Sequence, residues 1–335
     1  MLFFVMGLPG RFSGWCDAVA AGLAERAGGP TGTIHADTLE ELSLGAMKMD
    51  TSRAVIAARQ PGGLLRRALI EAGRAFIVAL DDPRAALADL VTRRGIEIAT
   101  ATRQVASSCA CVFGLDAAPG ALLLHAGRDG PNRMAAAAIA RHLRFDLSAS
   151  EIDEIACRLG DQGGYILDQG EIAAWWDGLD PGERVIAGGA LGPYLGHSPG
   201  GALGPITWAA ELFFAGDRPA VRATGGVDIT GRARCLLRGP RIMLPPATWS
   251  LSVALEVSPD AAEHGIVVEA TAGAVVGRTV IRPTGFGEVE ANLTLALEDL
   301  SDHPIDLILS NERPAFGGHL TLLRVTLTPQ PPAPE

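Results

Sequence analysis

Residues 2–15 read LFFVMGLPGRFSGW, and this stretch decides how the first half of the chain folds. LFFVM is a continuous apolar run, which is typical of a strand that is buried on both faces. The turn-forming residues Gly7-Leu8-Pro9-Gly10 end this strand, and Val19, Leu23 and Ala24 then follow a helical spacing. A strand, a glycine-rich loop and a helix form a context in which backbone N–H groups can bind an anion.

Beyond this loop, strand and helix patterns alternate as far as about residue 160. Further strands are predicted over residues 32–35, 54–58, 75–80 and 121–125. Helices are predicted around residues 64–72, after residue 82, over residues 96–112 and over about 134–159, whereas no helix is predicted between the strands at 32–35 and 54–58. The helix after residue 80 has a clear start, because Asp82 can cap it and Pro83 occupies its first position. This alternation predicts a parallel sheet that is covered by helices on both faces. Ligands of such sheets bind at the carboxyl ends of the strands.

The pattern changes in the second half of the chain. Residues 161–225 are rich in glycine and proline, apart from a predicted helix over 171–176. After residue 226, apolar residues alternate with a period of two in short runs, which is typical of an antiparallel β-sandwich or jelly roll. The sequence therefore predicts an α/β domain over residues 1–195, a connector over 196–225 and a β-sandwich domain over 226–330.

Composition and charge exclude several classes of protein. The 335 residues carry a formal net charge of −10; residues 1–160 hold 17 basic and 17 acidic side chains, so the whole excess lies in the second half. Neither half is basic enough to follow a nucleic-acid backbone. No apolar stretch reaches the ~18 residues of a membrane span. The five cysteines are scattered and lack metal-binding spacing, which predicts reduced thiols in a cytoplasmic protein.

Three segments of the first half carry a family resemblance. They are Pro9-Gly10-Arg11-Phe12-Ser13-Gly14-Trp15, residues 57–61 followed by Leu64-Leu65, and Asp81-Asp82-Pro83-Arg84 with Asp89. In this order and setting they resemble the loops of the sulfotransferase family, P-loop-like proteins that transfer a sulfuryl group from the nucleotide PAPS. The resemblance covers roughly residues 1–195. It implies that Gly10, Arg11, Ser13, Gly14 and Arg84 would hold PAPS or a related adenine nucleotide.

The charged positions of these loops depart from the family pattern. Gly10 replaces the basic residue that contacts phosphate, while Ala57 and Arg59 replace the family's lysine and general-base histidine. Asp81 and Asp89 replace the residues that hold the donor's 3′-phosphate. Arginine does not deprotonate in proteins, so Arg59 cannot accept a hydroxyl proton, and carboxylates repel a dianionic phosphate. The retained scaffold and the altered loops predict a non-catalytic, sulfotransferase-like domain.

Two other uses of these loops are open. Asp81, Asp82 and Asp89 could bind a divalent cation through their oxygens, but Asp82 is better explained as a helix cap, and we predict no metal site. His35, at the end of the second strand, could replace the missing base. In that alternative, Arg11 and Arg59 would bind a donor of different charge, and the chain would be an active transferase acting on a glycan hydroxyl.

The C-terminal half resembles the non-catalytic carbohydrate-binding sandwiches attached to enzymes of surface-glycan metabolism. The segments behind this resemblance are Asp228-Ile229-Thr230-Gly231 and residues 244–249, which read LPPATW. It implies a glycan or protein partner and a role in surface-polysaccharide production. The leading hypothesis is therefore a binding or scaffold protein.

Sugar binding by such a sandwich requires exposed aromatic rings that stack on pyranose C–H groups. Four aromatic residues are available, namely Trp208, Trp249, Phe286 and Phe316. Phe316 and Trp208 are the predicted glycan-binding residues, because Trp249 stands among alternating apolar residues and is expected in the core. The acidic charge disfavours an anionic polymer as the ligand unless arginines such as Arg234, Arg238 and Arg241 cluster.

Overall fold

The parallel sheet predicted for the first half of the chain is present in the computed structural model, which describes residues 1–115, 117–130, 132–160, 168–196, 201–216 and 218–331. Its strands are β1 (Leu2–Gly7), β2 (Gly32–His35), β3 (Ala54–Ala58), β4 (Phe76–Leu80) and β5 (Ala121–His125). Their spatial order is β2-β3-β1-β4-β5, and every neighbouring pair is parallel. Because β1 lies between β3 and β4, the loop after β1 is flanked by the loops after those two strands.

Helices connect and cover the strands. They are α1 (Arg11–Gly28), α2 (Leu39–Met47), α3 (Gly63–Glu71), α4 (Pro83–Ala88), α5 (Ile98–Val112), α6 (Ala126–Asp129), α7 (Arg133–His142), α8 (Ala149–Gly160), α9 (Gln169–Asp177) and α10 (Pro181–Leu191). A π-helical turn over Asp89–Arg93 continues α4. The predicted start of α4 is confirmed, since Asp82 accepts a hydrogen bond from the Arg84 N–H and Pro83 is the first residue of the helix.

Hydrophobic clusters cover both faces of the parallel sheet, as the sequence predicted. One cluster joins Phe3 and Val5 of β1 to α1, α7 and α8, and it includes Trp15. The other joins Phe4 and Met6, the alternate residues of β1, to the buried side of α3. The LFFVM run is therefore buried on both sides of the sheet, because successive side chains of a strand point to opposite faces.

Within the described ranges, the second half of the chain forms two antiparallel sheets, and the predicted β-sandwich class is confirmed. The strands are β6 (Ile206–Ala209), β7 (Phe214–Ala215), β8 (Arg218–Arg222), β9 (Val227–Asp228), β10 (Cys235–Ile242), β11 (Ala247–Val257), β12 (Ile266–Ala272), β13 (Ala274–Ile281), β14 (Gly287–Leu297), β15 (Ile305–Asn311) and β16 (His319–Pro329). Sheet I has the order β13-β12-β15-β10-β7-β8. Sheet II has the order β14-β11-β16-β6, with β9 also paired to β16.

The strands of the sandwich bury every second side chain. In β14, for example, Ala291, Leu293, Leu295 and Leu297 are buried, and the residues between them are exposed. This is the period of two that the sequence showed. Trp249 is buried in β11, as predicted.

The chain divides into two units whose limits differ from the predicted domains. Unit 1 comprises Met1–Glu97, Ser107–Leu179 and Leu195–Gly201, and unit 2 comprises Ile98–Ala106, Asp180–Tyr194 and Ala202–Glu335. The described part of residues 196–225, predicted as a connector, contains β6, β7 and β8, which pair with strands of the two sheets. These strands are two to five residues long, too short for a period of two to be recognised among the glycines and prolines.

Unit 2 also contains a helix that the sequence analysis missed. α10 packs against β6, and a Cβ placed on Gly189 would lie 2.7 Å from the carbonyl oxygen of Thr207. A glycine is needed there because the helix and the strand approach so closely. The glycines of residues 181–191 led the sequence analysis to treat this stretch as irregular, but Gly189 in fact allows α10 to pack closely on β6.

Membrane, thiol and metal features can be stated for the residues that the structure covers. In that part of the chain, no helix is both long and apolar enough to cross a membrane. The five cysteines are free thiols; Cys157 is exposed, whereas Cys16, Cys109 and Cys111 are buried. No group of three or more His, Cys, Asp or Glu side chains in the same ranges could hold a metal ion.

Candidate functional site

The loop after β1 leads directly into the N-terminus of α1, as expected for an anion-binding loop. Gly10 is the N-cap residue, with an extended backbone, and it offers no side chain to cap the helix. Ser13 is buried, and its Oγ has no hydrogen-bond partner among the described residues. A Cβ on Gly7 would lie 2.5 Å from this Oγ. The loop is therefore closely packed around the Ser13 side chain.

Asp81 lies beside this loop. Its Oδ1 accepts a hydrogen bond of 2.8 Å from the N–H of Asp82, and its Oδ2 is 3.7 Å from the position a Cβ would take on Gly10. Burial, with smaller contributions from the carboxylates of Asp82 and Asp89, raises the pKa of Asp81 to about 6, while the hydrogen bond from the Asp82 N–H acts in the opposite direction. At neutral pH most of this carboxyl group is ionised, so a negative charge lies beside the start of α1.

Arg11 and Asp89, both predicted to shape the donor site, form an ion pair with each other. The Arg11 Nε lies 3.1 Å from Asp89 Oδ1, while Arg93 and Arg94 approach the same carboxylate at 3.0 and 3.7 Å. Asp89 is only 2% exposed. Its charge is balanced by the guanidinium groups of Arg11, Arg93 and Arg94.

Arg59 does not stand free at the end of β3. Its guanidinium forms an ion pair with Asp17 of α1, and its backbone N–H donates to Asp37 Oδ1 at 2.6 Å. Burial raises the pKa of Asp17 to about 6, while the charges of Arg59 and His35 act in the opposite direction. His35 is exposed at the end of β2. Of the two predicted catalytic candidates, Arg59 contacts Asp17, a residue that the sequence analysis missed, and His35 acts on the same carboxylate through its charge alone.

Arg84, the remaining predicted nucleotide contact, is held by its own helix cap. Its Nη2 lies 2.7 Å from Asp82 Oδ2, and its backbone N–H donates to Asp82 Oδ1 at 2.8 Å. Arg11, Arg59 and Arg84 therefore all face carboxylates of this chain. An incoming anion would have to compete with these carboxylates for each guanidinium.

In unit 2, the aromatic candidates separate into core and surface residues. Trp208 is 0% exposed, so it is a core residue and cannot stack on a sugar, contrary to the prediction from sequence. Phe316 is 100% exposed, as predicted, and Phe286 is 73% exposed. The buried position of Trp208 follows from its place in β6, opposite the buried Val325 of β16.

Phe286 and Phe316 lie in loops at the same end of the sandwich. Gly287 and Leu320, near the starts of β14 and β16, both pair with Val257 at the end of β11. The loop of Phe286, before β14, and the loop of Phe316, before β16, therefore both lie at the end of sheet II where β11 ends. We call this end of the sandwich the aromatic end.

The loop of Phe316 is held by backbone and side-chain hydrogen bonds. Ala315 and Gly231 exchange two backbone hydrogen bonds of 2.8 and 2.9 Å. The buried amide of Asn311 donates to the carbonyl oxygen of Arg313 at 3.1 Å and accepts from the N–H of Arg234 at 2.7 Å. The loop is thus fixed at its base, and the Phe316 ring projects from it into solvent.

An ion pair connects the two aromatic loops. Arg282, which precedes Phe286, donates to Glu312, which precedes Phe316, at 2.8 Å. Gly265 lies between them, and a Cβ there would collide with the Glu312 side chain. Because Gly265 has no side chain, Arg282 and Glu312 can form their ion pair across the start of β12, which lies between β13 and β15.

Comparison with known proteins gives structural matches alone. Neither a family model nor a curated protein matches the sequence. TmCBM61 in complex with β-1,4-galactotriose matches with a TM-score of 0.25 and 10% identity, over 38% of this chain and 88% of that one. The C-terminal CBM6 of the laminarinase LamC from Zobellia galactanivorans matches with a TM-score of 0.25 and 13% identity, over 37% and 98%. The arabinose-bound α-L-arabinofuranosidase MgGH51 matches with a TM-score of 0.24 and 12% identity, over 30% of this chain and only 19% of that one.

Proposed function

We propose that the chain is a carbohydrate-binding protein and that the aromatic end of the sandwich holds the sugar. The observation that carries this proposal is the full exposure of Phe316, with Phe286 also exposed at the same end. A pyranose ring offers a face of C–H groups on which a phenyl ring can stack, and stacking removes apolar surface of both partners from water. The fixed base of the Phe316 loop reduces the conformational entropy that binding would cost.

The double variant Phe286→Ala/Phe316→Ala tests this proposal. Each lost stacking contact is expected to cost about 1 kcal/mol, so affinity for a neutral polysaccharide should fall on the order of thirtyfold. The measurement is affinity electrophoresis of the full chain through gels containing xylan, mixed-linkage β-glucan or galactan. Stability should change little, because Phe316 is fully exposed and Phe286 is 73% exposed.

Val275→Ala is the matched control for this experiment. Val275 is also an exposed apolar residue of the sandwich, but it pairs with Thr271 beside the β12–β13 turn, away from the aromatic end. The proposal fails if none of the three polysaccharides retards the protein. It also fails if the double variant and the Val275 variant migrate as the unaltered protein does, which would leave a protein partner as the better explanation of the exposed rings.

We also propose that unit 1 is a sulfotransferase-like scaffold without transferase activity. The position of Asp81 beside Gly10, and the ion pairs of Arg11, Arg59 and Arg84 with carboxylates of the chain, support this proposal. A dianionic phosphate at the start of α1 would meet the Asp81 carboxylate at short range, which is costly in a partly desolvated site. The residues present thus do not fit PAPS. A role in surface-polysaccharide production stays a prediction.

Calorimetric titration with adenosine 3′,5′-bisphosphate tests the scaffold proposal. We expect no saturable heat at millimolar nucleotide, with an active sulfotransferase titrated in the same buffer as the positive control. A micromolar dissociation constant would overturn the proposal. It would instead favour the active transferase, with His35 and Arg59 at its site.

A further inference from the structure

A row of side chains crosses the outer face of sheet I. The register pairs Arg222 with Phe214, Phe214 with Arg238, Arg238 with Ile308, Ile308 with Glu269, and Glu269 with Arg278. Directly paired residues project from the same face of a sheet. The alternate residues of these strands, such as Leu307, Leu309 and Val268, are buried in the sandwich core, so the row lies on the opposite, outer face.

At one end of the row, two arginines enclose an aromatic ring. The Cζ atoms of Arg103 and Arg222 both lie 4.7 Å from the centre of the Phe214 ring. Both guanidinium groups also donate to Thr100 Oγ1 at 3.0 Å. These contacts hold two positive groups close together and in defined positions.

In the middle of the row, two further arginines share one carboxylate. Arg238 Nε and Arg241 Nε lie 2.6 and 3.3 Å from Asp306 Oδ2. Both contacts use the Nε atoms, and both arginine side chains remain about half exposed, whereas Asp306 is buried. Asp306 Oδ1 is itself buried and has no hydrogen-bond partner among the described residues. Arg241 adopts a left-handed backbone, φ 61°, which a non-glycine residue adopts at a cost.

Arginines are concentrated on the outer face of sheet I. Arg238, Arg241 and Arg278 are about half exposed there and contact the carboxylates of Asp306 and Glu269. Arg222 of β8 and Arg103 of α5 add two guanidinium groups at the Phe214 end. The chain as a whole carries −10. Of the arginines named in the sequence analysis, Arg238 and Arg241 cluster here, and Arg234 instead contacts Asp228 and Asn311 near the aromatic end.

We call the outer face of sheet I that carries this row the arginine face. We propose that the arginine face binds the carboxylate groups of an acidic polysaccharide, a polyuronate. The inference rests on the proposed carbohydrate-binding function and adds a second surface to it. The row spans six strands, about 24 Å at the usual strand spacing, which suits an extended chain with one carboxylate per sugar. Guanidinium groups match carboxylates in geometry and charge, and Ile308 offers an apolar contact between the charged positions.

Charge also favours a polyuronate over a nucleic acid. A duplex carries a phosphate about every 1.7 Å, so most of its charge would lie against the acidic remainder of the protein. A polyuronate is less densely charged, and screening limits the repulsion that it meets beyond about 8 Å at physiological salt.

The test compares the full chain with the variant Arg241→Gln/Arg278→Gln in titrations with polygalacturonate. Both residues are on the surface, so the fold should tolerate the change, and Asp306 keeps its contact with Arg238. We expect the unaltered protein to bind, and the variant to bind at least tenfold more weakly and with a smaller dependence on salt. Arg324→Gln is the matched control, because Arg324 is a half-exposed arginine of sheet II that pairs with Glu288.

Three results would overturn the inference: no binding of polygalacturonate, equal loss in the Arg324→Gln control, or tighter binding of a single-stranded RNA of equal charge. The Phe286→Ala/Phe316→Ala variant separates the two carbohydrate proposals. It should keep its affinity for polygalacturonate while losing affinity for neutral polysaccharide. Loss of both ligands in this variant would place the polyuronate at the aromatic end and refute a separate site on the arginine face.

Discussion

Replacing Trp208 by alanine is expected to lower the free energy of unfolding by about 4 kcal/mol. The indole is fully buried in β6, and truncating a buried tryptophan loses its transfer free energy and leaves a cavity. Since the sequence had predicted a sugar-stacking role for this residue, the variant decides between a core role and a binding role. The measurement is urea denaturation followed by far-ultraviolet circular dichroism.

Trp208→Phe is the control for this prediction. The indole Nε1 is buried and has no hydrogen-bond partner among the described residues. Phenylalanine removes this unsatisfied donor and fills most of the space, so it should cost less than about 1.5 kcal/mol. If the alanine variant lost polysaccharide binding without losing stability, Trp208 would have to be an exposed sugar-binding residue, which would contradict the structure.

Replacing Asp81 by asparagine is expected to stabilise the protein by about 2 kcal/mol at pH 7.5 and hardly at all at pH 4. Burial raises the pKa of Asp81 from 3.8 to about 6. Between pH 3.8 and about pH 6, Asp81 keeps its proton in the folded protein and loses it in the unfolded chain. The free energy of unfolding therefore falls as the pH rises through this range. Above it, the buried charge costs its full amount, which a pKa difference of about two units sets at 2–3 kcal/mol before any solvent screening. Asparagine removes the charge and keeps the oxygen that accepts the Asp82 N–H.

Asp82→Asn is the matched control for the pH experiment. Asparagine can still cap α4, but it loses the ion pair with Arg84, so a small destabilisation, about 1 kcal/mol or less, is expected at pH 7.5. The free energies of unfolding at pH 4, 6 and 7.5 provide the comparison. If the Asp81 variant is destabilised at pH 7.5, or if its effect is the same at all three values, the account of a buried charge beside Gly10 is incorrect.

Local sequence patterns were sufficient to predict the two kinds of sheet. The parallel sheet follows from continuous apolar runs such as LFFVM, and the sandwich from the period of two in strands such as β14. Helices α2 and α10 were missed because one has no buried residue and the other contains several glycines. Both nevertheless begin with a capping box, Thr38 with Glu41 and Asp180 with Glu183, and this signal would have located them.

The candidate sites were less predictable, because their geometry depends on partners that are distant in sequence. The positions of Arg11 and Arg59 at strand ends could be inferred, but not that Asp89 and Asp17 would neutralise them from 78 and 42 residues away. The arginine face likewise depends on the register between β7, β10 and β15. That register follows from tertiary packing of the whole sandwich, which no short window of sequence contains.

The interleaving of the two units limits how this protein can be dissected. The polypeptide leaves unit 1 after Glu97, returns at Ser107, leaves again after Leu179 and comes back for Leu195–Gly201. No single proteolytic cut or shortened clone can therefore release an intact sandwich. A fragment beginning at residue 226 would lack α10, β6, β7 and β8, and with them one end of the arginine face. Fragments designed from linear domain boundaries would fail to fold or to bind for reasons unrelated to the ligand.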